Sequence, residues 1–258
     1  MSLNAPRWLI EAPIAHRGLH DEARGLVENT LAAAGAAAAR AISIECDVQL
    51  SADGEAMVFH DESLERLTLA SGELSALGAR EIADIAFRNC SERIPTLGQL
   101  LDRIGGRVPL ICELKSRFNG DMRLARRVAQ LAAAYGGPLA LKSFDPAIIA
   151  HLRAMPTPPG SPGQACPLGI VAQARFEREE WRALSGHQRS VCANFLHLAE
   201  TRPDFLSWRV DDLPHPTPFL LGRLASMPVM AWTVRTQAQK QVAERWADQI
   251  IFEGDLAA

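Results

Sequence analysis

From Ile42 the chain reads ISIECDV, with Ile44, Cys46 and Val48 on one parity and Glu45 and Asp47 on the other. Side chains of a strand alternate between its faces, so this run predicts a strand with one apolar face and one face carrying two carboxylates. Asp53-Gly54 follows as a tight-turn pair, and a short apolar run then brings the chain back to His60. Upstream, Ala12–His16 reads as a short buried strand. The alanine-rich stretch to Arg40 reads as a helix, with Asn29 or Thr30 as its N-cap. Strand, helix and strand in this order form the βαβ pattern of a parallel sheet.

Beyond His60, residues 62–90 are polar and irregular, apart from a helix predicted near Ala79–Ile85. LGQLLDRI predicts a helix stopped by Gly105-Gly106. In the next strand, Val108–Lys115, alternation sets Glu113 and Lys115 together, opposite Cys112 and Leu114. Arg123–Tyr135 is then helical, Leu139–Phe144 a strand, and Pro146 to Ala154 a helix. Met155–Pro167 is rich in proline and glycine, but one loop accounts for it because Leu168–Ala172 resumes as a strand. Phe176–Leu184 and His187–Ala199 read as helices. Phe205–Val210, Val229–Val234 and Gln249–Phe252 read as strands, with Gln237–Trp246 helical between the last two. Eight strands separated by helical segments predict an α/β fold, a single (β/α)8 TIM-type barrel over residues 1–258, with an extra arm carrying His60 after strand two.

Composition narrows the function classes. With 48% hydrophobic and 22% charged residues in 258, the chain is of ordinary globular type. A net charge of −3 and the lack of a basic stripe argue against a nucleic-acid partner. No apolar run nears the roughly 18 residues of a membrane helix, and MSLNAPRWLIEAP lacks a secretory apolar core, so a cytoplasmic protein is expected. Five cysteines at irregular spacing, without a CxxC, fit neither a zinc site nor a disulfide framework. Cys46 and Cys112 are expected to pack as small apolar residues facing away from the carboxylates.

In barrels of this type the active site lies at the C-terminal ends of the strands. There the sequence sets His16-Arg17, Glu45 and Asp47, Glu113 and Lys115, and Trp232. Three carboxylates can hold one hard divalent cation, Ca²⁺, Mg²⁺ or Mn²⁺. Arg17 offers a planar fork for phosphate oxygens, Lys115 a point charge, and His16 and His60 can divide acid and base work near neutrality. These groups suit a phosphate ester. Lys142 is a pocket candidate without a motif, and Asp61 orients the loop or caps a turn. Arg235 reaches an anionic substrate tail or pairs with Glu253. His20, His151, His187, His197 and His215 are read as structural or exposed, and Trp181, Trp208 and Trp246 as packing residues.

The pieces IAHRG (14–18), ENT (28–30), IECDV (44–48), DGEAMVFHD (53–61), LERLT (64–68), IPTL (94–97), CELK (112–115), SFD (143–145) and AWTV (231–234) stand in one order along nearly the whole chain. In that order and spacing the sequence resembles the glycerophosphodiester phosphodiesterase family. The resemblance implies a TIM-type barrel that hydrolyses glycerophosphodiesters to glycerol 3-phosphate and an alcohol. It implies Glu45, Asp47 and Glu113 as ligands of the divalent cation, and His16 and His60 as the acid/base pair. It further implies phosphate contacts from Arg17 and Lys115, a glycerol-pocket wall at Trp232, and attack by the neighbouring glycerol hydroxyl to give a cyclic phosphate. Two departures stand out: WTVR replaces the commoner WTVN, and IIFEG (250–254) replaces a Thr-rich last strand. The segment 61–93 is also short for the extra subdomain of many relatives, and a shorter cap leaves room for bulky, lysophospholipid-like diesters. A lysophospholipase D-like enzyme and a non-catalytic barrel that binds phosphate esters are the two rival readings.

Overall fold

In the computed structural model, which describes residues 5–88, 90–157, 159–160 and 166–256, the alternating runs become strands. These are β1 (Ile14–Ala15), β2 (Ser43–Leu50), β3 (Ala56–Val58), β4 (Leu110–Leu114), β5 (Leu139–Ser143), β6 (Leu168–Ala172), β7 (Phe205–Arg209), β8 (Val229–Val234) and β9 (Gln249–Phe252). Eight of them pair in parallel in the order β1-β9-β8-β7-β6-β5-β4-β2, and β1 pairs with β2 to close the ring. Short β3 lies antiparallel on β2, with Val48 opposite Val58, and leads the chain to His60. The architecture is the expected (β/α)8 barrel with its arm.

The helices are α1 (Trp8–Glu11), α2 (Leu31–Ala39), α3 (Ala79–Ala83), α4 (Leu97–Ile104), α5 (Arg123–Ala134), α6 (Pro146–Ala154), α7 (Gly186–Ala193), α8 (Leu198–Thr201), α9 (Pro216–Ala225) and α10 (Gln237–Trp246). Thr30, not Asn29, caps α2, accepting a hydrogen bond from the Ala33 N–H. A reciprocal Thr96–Gln99 capping box starts α4, and Gly105 ends it in the left-handed region at φ 58°.

Some segments differ from the sequence reading. Phe176–Leu184 holds only a 3₁₀ turn at Glu179–Trp181, because Phe176 and Leu184 bury in a side cluster with Cys192 while Glu177 to Glu180 stay exposed. His187–Ala199 divides into α7 and α8, with Phe195 between them in the left-handed region at φ 55°. Helix α9 has no counterpart in the sequence reading, since its PTP opening resembles a loop, although proline is well tolerated in a first helical turn. Residues 62–90 are less irregular than their polarity suggests. Leu64, Leu67, Leu74, Ile82 and Phe87 form a small core with Met57 and Phe59 of the arm. The expected loop Met155–Pro167 lies partly outside the described residues, at 158 and 161–165.

Alternation sorts the barrel into two environments. Ile44, Cys46, Val48, Cys112 and Leu114 face outward into the main core beneath the helices, as expected for both cysteines. Inward, Ile14, Ile111, Ala140, Phe205, Met230 and Ile251 meet Leu9 of α1 in an apolar layer. That layer depends on one glycine: a Cβ on Gly169 would lie 2.3 Å from the Phe205 ring. Gly169→Ala should therefore cost about 1–3 kcal/mol of stability, the usual range for overpacking, measured by urea unfolding. The double variant with Phe205→Leu should recover part of the loss. An unaffected single variant would mean that Phe205 does not cross Gly169.

Candidate active site

Register sets the candidate site above the apolar layer. On neighbouring strands Asp47 pairs with Glu113 and Glu45 with Ile111, so the three acids share the barrel interior. They are 0%, 1% and 5% exposed for Glu45, Asp47 and Glu113, with ligand oxygens within 4.8 Å of one another. Like charges so buried need partners. Lys115 Nζ lies 3.0 Å from Asp47 Oδ1 and 2.8 Å from Glu113 Oε1. Lys142 Nζ lies 3.0 Å from Glu45 Oε1 and 3.4 Å from Glu113 Oε2. Arg17 Nε is 3.1 Å from Asp47 Oδ2, while Arg17 Nη1 donates to Glu28 at 2.7 Å. Asn29 clamps Asp47 from both ends: its Nδ2 donates to Oδ2, and its Oδ1 accepts from the Asp47 backbone N–H.

Electrostatics follow from these contacts. Burial alone pushes the Asp47 and Glu113 carboxyls up, but Lys115, joined by His60 and Arg17 at Asp47 and by Lys142 at Glu113, outweighs it. Asp47 ends well below the usual carboxylate range and Glu113 below it. Conversely, burial lowers the Lys115 and Lys142 ammonium groups, and the acids more than restore them, leaving both raised. At the end of β1 the chain turns sharply, with Arg17 at φ 57° and Gly18 at φ 80°. This turn lets the Arg17 N–H donate to Glu45 Oε2 at 3.1 Å and the Gly18 N–H to the Glu45 carbonyl. A Cβ on Gly18 would lie 2.9 Å from the Ala33 backbone, so a side chain here meets both strain and a clash.

Both histidines are oriented by carboxylates. His16 Nδ1 is 2.6 Å from Glu253 Oε1, and His60 Nδ1 is 2.7 Å from Asp61 Oδ1. Burial raises the Glu253 and Asp61 carboxyls, yet hydrogen bonds from the histidines, from Arg235 to Glu253 and from Arg66 to Asp61, hold both far below the ordinary range. Ionised carboxylates only accept, so each Nδ1 donates a proton to its carboxylate and each Nε2 points away from it. His16 Nε2 is 3.9 Å from Glu45 Oε2. Arg66 bonds Asp61 and also Glu28, which in turn holds Arg17, so a chain of ion pairs joins His60 to the acidic cluster.

A pocket of about 940 Å³ opens over this ensemble. Its lining takes in His60, Glu113, Lys115 and Trp232, but not His16, Arg17, Glu45 or Asp47. Arg17 is committed to Glu28 and Asp47, which leaves Lys115 as the site cation facing the pocket. Trp232 donates from Nε1 to the Ser207 carbonyl and meets Phe144 edge to face at 5.5 Å. Trp181, read as a packing residue, does pack on Phe176 but also lines the pocket beside Phe118 and Phe144. Arg235 pairs with Glu253 and thereby supports His16. Among the residues that complete the site, Glu28 and Arg66 stood within the quoted motifs without an assigned role, and Asn29 stood there only as a candidate N-cap. Lys142 had only its place on a strand to mark it.

The candidate metal ligands fit a hard cation by their chemistry. All are carboxylates with oxygens within 4.8 Å of one another, the donor type that hard divalent cations prefer.

Acidic, basic and imidazole groups thus gather at the strand ends of a closed parallel barrel, the place where active sites of this fold lie. The model of the glycerophosphoryl diester phosphodiesterase family matches residues 16–253, and the chain belongs to that family. It is 40% identical over 111 residues to the glycerophosphodiester phosphodiesterase of Caldanaerobacter subterraneus, a stretch covering 40% of this chain and 44% of that protein. The aligned stretch thus spans less than half of that relative. It is 28% identical to YhdW of Bacillus subtilis over 87% of this chain and 86% of that one. The fold resembles an Oleispira antarctica phosphodiesterase solved with the product sn-glycerol-3-phosphate, at a TM-score of 0.74 and 20% identity, covering 95% and 93% of the two chains. A Thermotoga maritima glycerophosphodiester phosphodiesterase gives a TM-score of 0.67 at 20% identity, covering 94% of each chain. Among the described residues, no helix is long and apolar enough to cross a membrane.

The paired carboxylates give a pH dependence with a definite sign. Glu253 is depressed in the folded state, so its contribution is present above the ordinary value of 4.5 and is lost as pH falls through that value toward the folded one. Between about pH 6 and about pH 3, unfolding free energy from urea titrations should fall less steeply in Glu253→Gln than in the parent. Equal slopes would mean that Glu253 is not paired as described.

Proposed function

We propose that this chain hydrolyses glycerophosphodiesters to glycerol 3-phosphate and an alcohol, using His16 and His60 as the acid/base pair. The observation that carries the reading is the pair of imidazoles, each with a carboxylate on Nδ1, set beside a buried acidic triad. A binding module needs the charges but has no use for two oriented proton carriers. The glycerol 3-phosphate complex of the Oleispira neighbour supports the same product class.

One Nε2 takes the proton of the glycerol hydroxyl next to the phosphate, and that oxygen attacks phosphorus. The other imidazole, protonated, gives its proton to the departing alkoxide. The resulting cyclic phosphate is opened by water, with the two histidines exchanging roles. Such a path fits a site with no serine or cysteine nucleophile among its assigned residues. Glu45, Asp47 and Glu113 would hold one divalent cation, Ca²⁺, Mg²⁺ or Mn²⁺, which would supply charge stabilisation at the phosphate oxygens. Lys115 faces the same oxygens, Arg17 holds Asp47 in place, and Trp232 walls the glycerol.

A second substrate reading keeps this chemistry and moves it to lysolipids. It is favoured by the size of the pocket and by Phe118, Phe144, Trp181 and Leu124 in its lining.

Glycerol 3-phosphate release from glycerophosphocholine should stop with chelator and return with an added divalent cation. His16→Ala and His60→Ala should each lower kcat by about 10²–10⁴-fold, the usual range for a positioned acid or base. Choline or lysophosphatidic acid release from a lysolipid, with no turnover of glycerophosphocholine, would select the second reading. Full activity in either histidine variant would contradict the mechanism.

A further inference from the structure

Lys142 sits on β5 with its side chain inside the barrel, and at 2% exposed it is among the most buried cations of the described residues. An ammonium is costly to bury unless it is paired. Its partners are two of the three candidate metal ligands, Glu45 at 3.0 Å and Glu113 at 3.4 Å. Lys115 bridges the next pair, Asp47 and Glu113, and Arg17 the last, reaching Asp47 with its side chain and Glu45 with its backbone N–H. Acids and bases therefore alternate round a ring: Glu45, Lys142, Glu113, Lys115, Asp47, Arg17.

The cations of this ring differ in freedom. The Lys115 side chain is 24% exposed and lines the pocket, so it can turn toward an anionic substrate. Lys142 does not line the pocket, and its side chain is 2% exposed. We infer that Lys142 is a fixed internal counter-cation that holds Glu45 and Glu113 together when no metal is bound and weakens the triad's affinity for a divalent cation.

The inference rests on the metal reading proposed above and concerns a positioning residue, not a ligand. A charge within about 4–6 Å shifts the equilibrium of a carboxylate with a single proton by one to three powers of ten. A divalent cation carries twice that charge, and burial limits screening by salt. Lys142 thus favours a cation that exchanges over one that stays bound, and it cancels the negative charge that Lys115 and Arg17 leave over at the empty site.

The direct test is calorimetric titration of Mn²⁺ into the metal-stripped chain, with thermal melting in chelator and in Mn²⁺ as a second readout. Lys142→Met should bind Mn²⁺ about tenfold or more tightly than the parent and show a larger Mn²⁺-induced rise in Tm. Lys142→Arg, which keeps the charge, should stay near the parent value, whereas a merely structural role would not separate these two variants by charge. Lys142→Gln replaces the methionine variant if that one does not fold, with the same expectation. Unchanged or weaker Mn²⁺ binding in a folded, uncharged variant would overturn the inference while leaving the metal reading intact. No saturable binding in the parent would overturn both, and loss of binding in Glu45→Gln identifies the triad as the site measured.

Discussion

Three carboxylates held within 4.8 Å of one another inside a barrel repel strongly, and much of the surrounding structure exists to oppose that repulsion. At this separation, with an effective dielectric constant near 20, each pair of unit charges costs roughly 3 kcal/mol. Two lysines and an arginine answer the three acids, so the cluster is close to neutral without any added ion. Neutrality is reached by geometry and not by protonation: Asp47 and Glu113 both remain more acidic than ordinary carboxyls despite their burial. Asp47 and Glu113 are therefore kept in the charged form.

A second tier of ion pairs fixes the two imidazoles. Glu253 and Asp61 each bond one histidine and one arginine, and Glu28 joins Arg66 to Arg17. Both imidazoles thereby keep one orientation, and both are tied to the elements that hold the triad. The strain at Arg17 and Asn29, non-glycine residues in the left-handed region, falls on the two loops that bring this tier together. Below, the Gly169–Phe205 contact closes the apolar layer on which the polar one rests.

How much of this was legible depended on the range of the interaction. Period-two alternation is local, so Glu45, Asp47, Glu113 and Lys115 could be assigned to one face, with Cys46 and Cys112 on the other, before any fold was known. Asp53-Gly54 likewise brought His60 back to the second strand. The partners of the histidines were harder. Glu253 reaches His16 only because β9 lies beside β1 once the ring closes, with Ala15 opposite Phe252. Trp181 packs as read, but its additional place in the pocket wall depends on a loop whose charged stretch reads as a helix. The proline-rich start of α9 concealed a helix for the opposite reason. Lys142 was marked only as a strand lysine without a motif, and a strand position names no partner.

The measurement that bears most directly on the buried acidic ring is anomalous diffraction from crystals equilibrated with Mn²⁺. One peak within coordination distance of Glu45, Asp47 and Glu113, with Lys142 still against Glu45 and Glu113, is the expected result. A peak elsewhere, or no peak while the triad keeps its lysine and arginine contacts, would show that the ring is a self-contained ion-pair network and not a cation site.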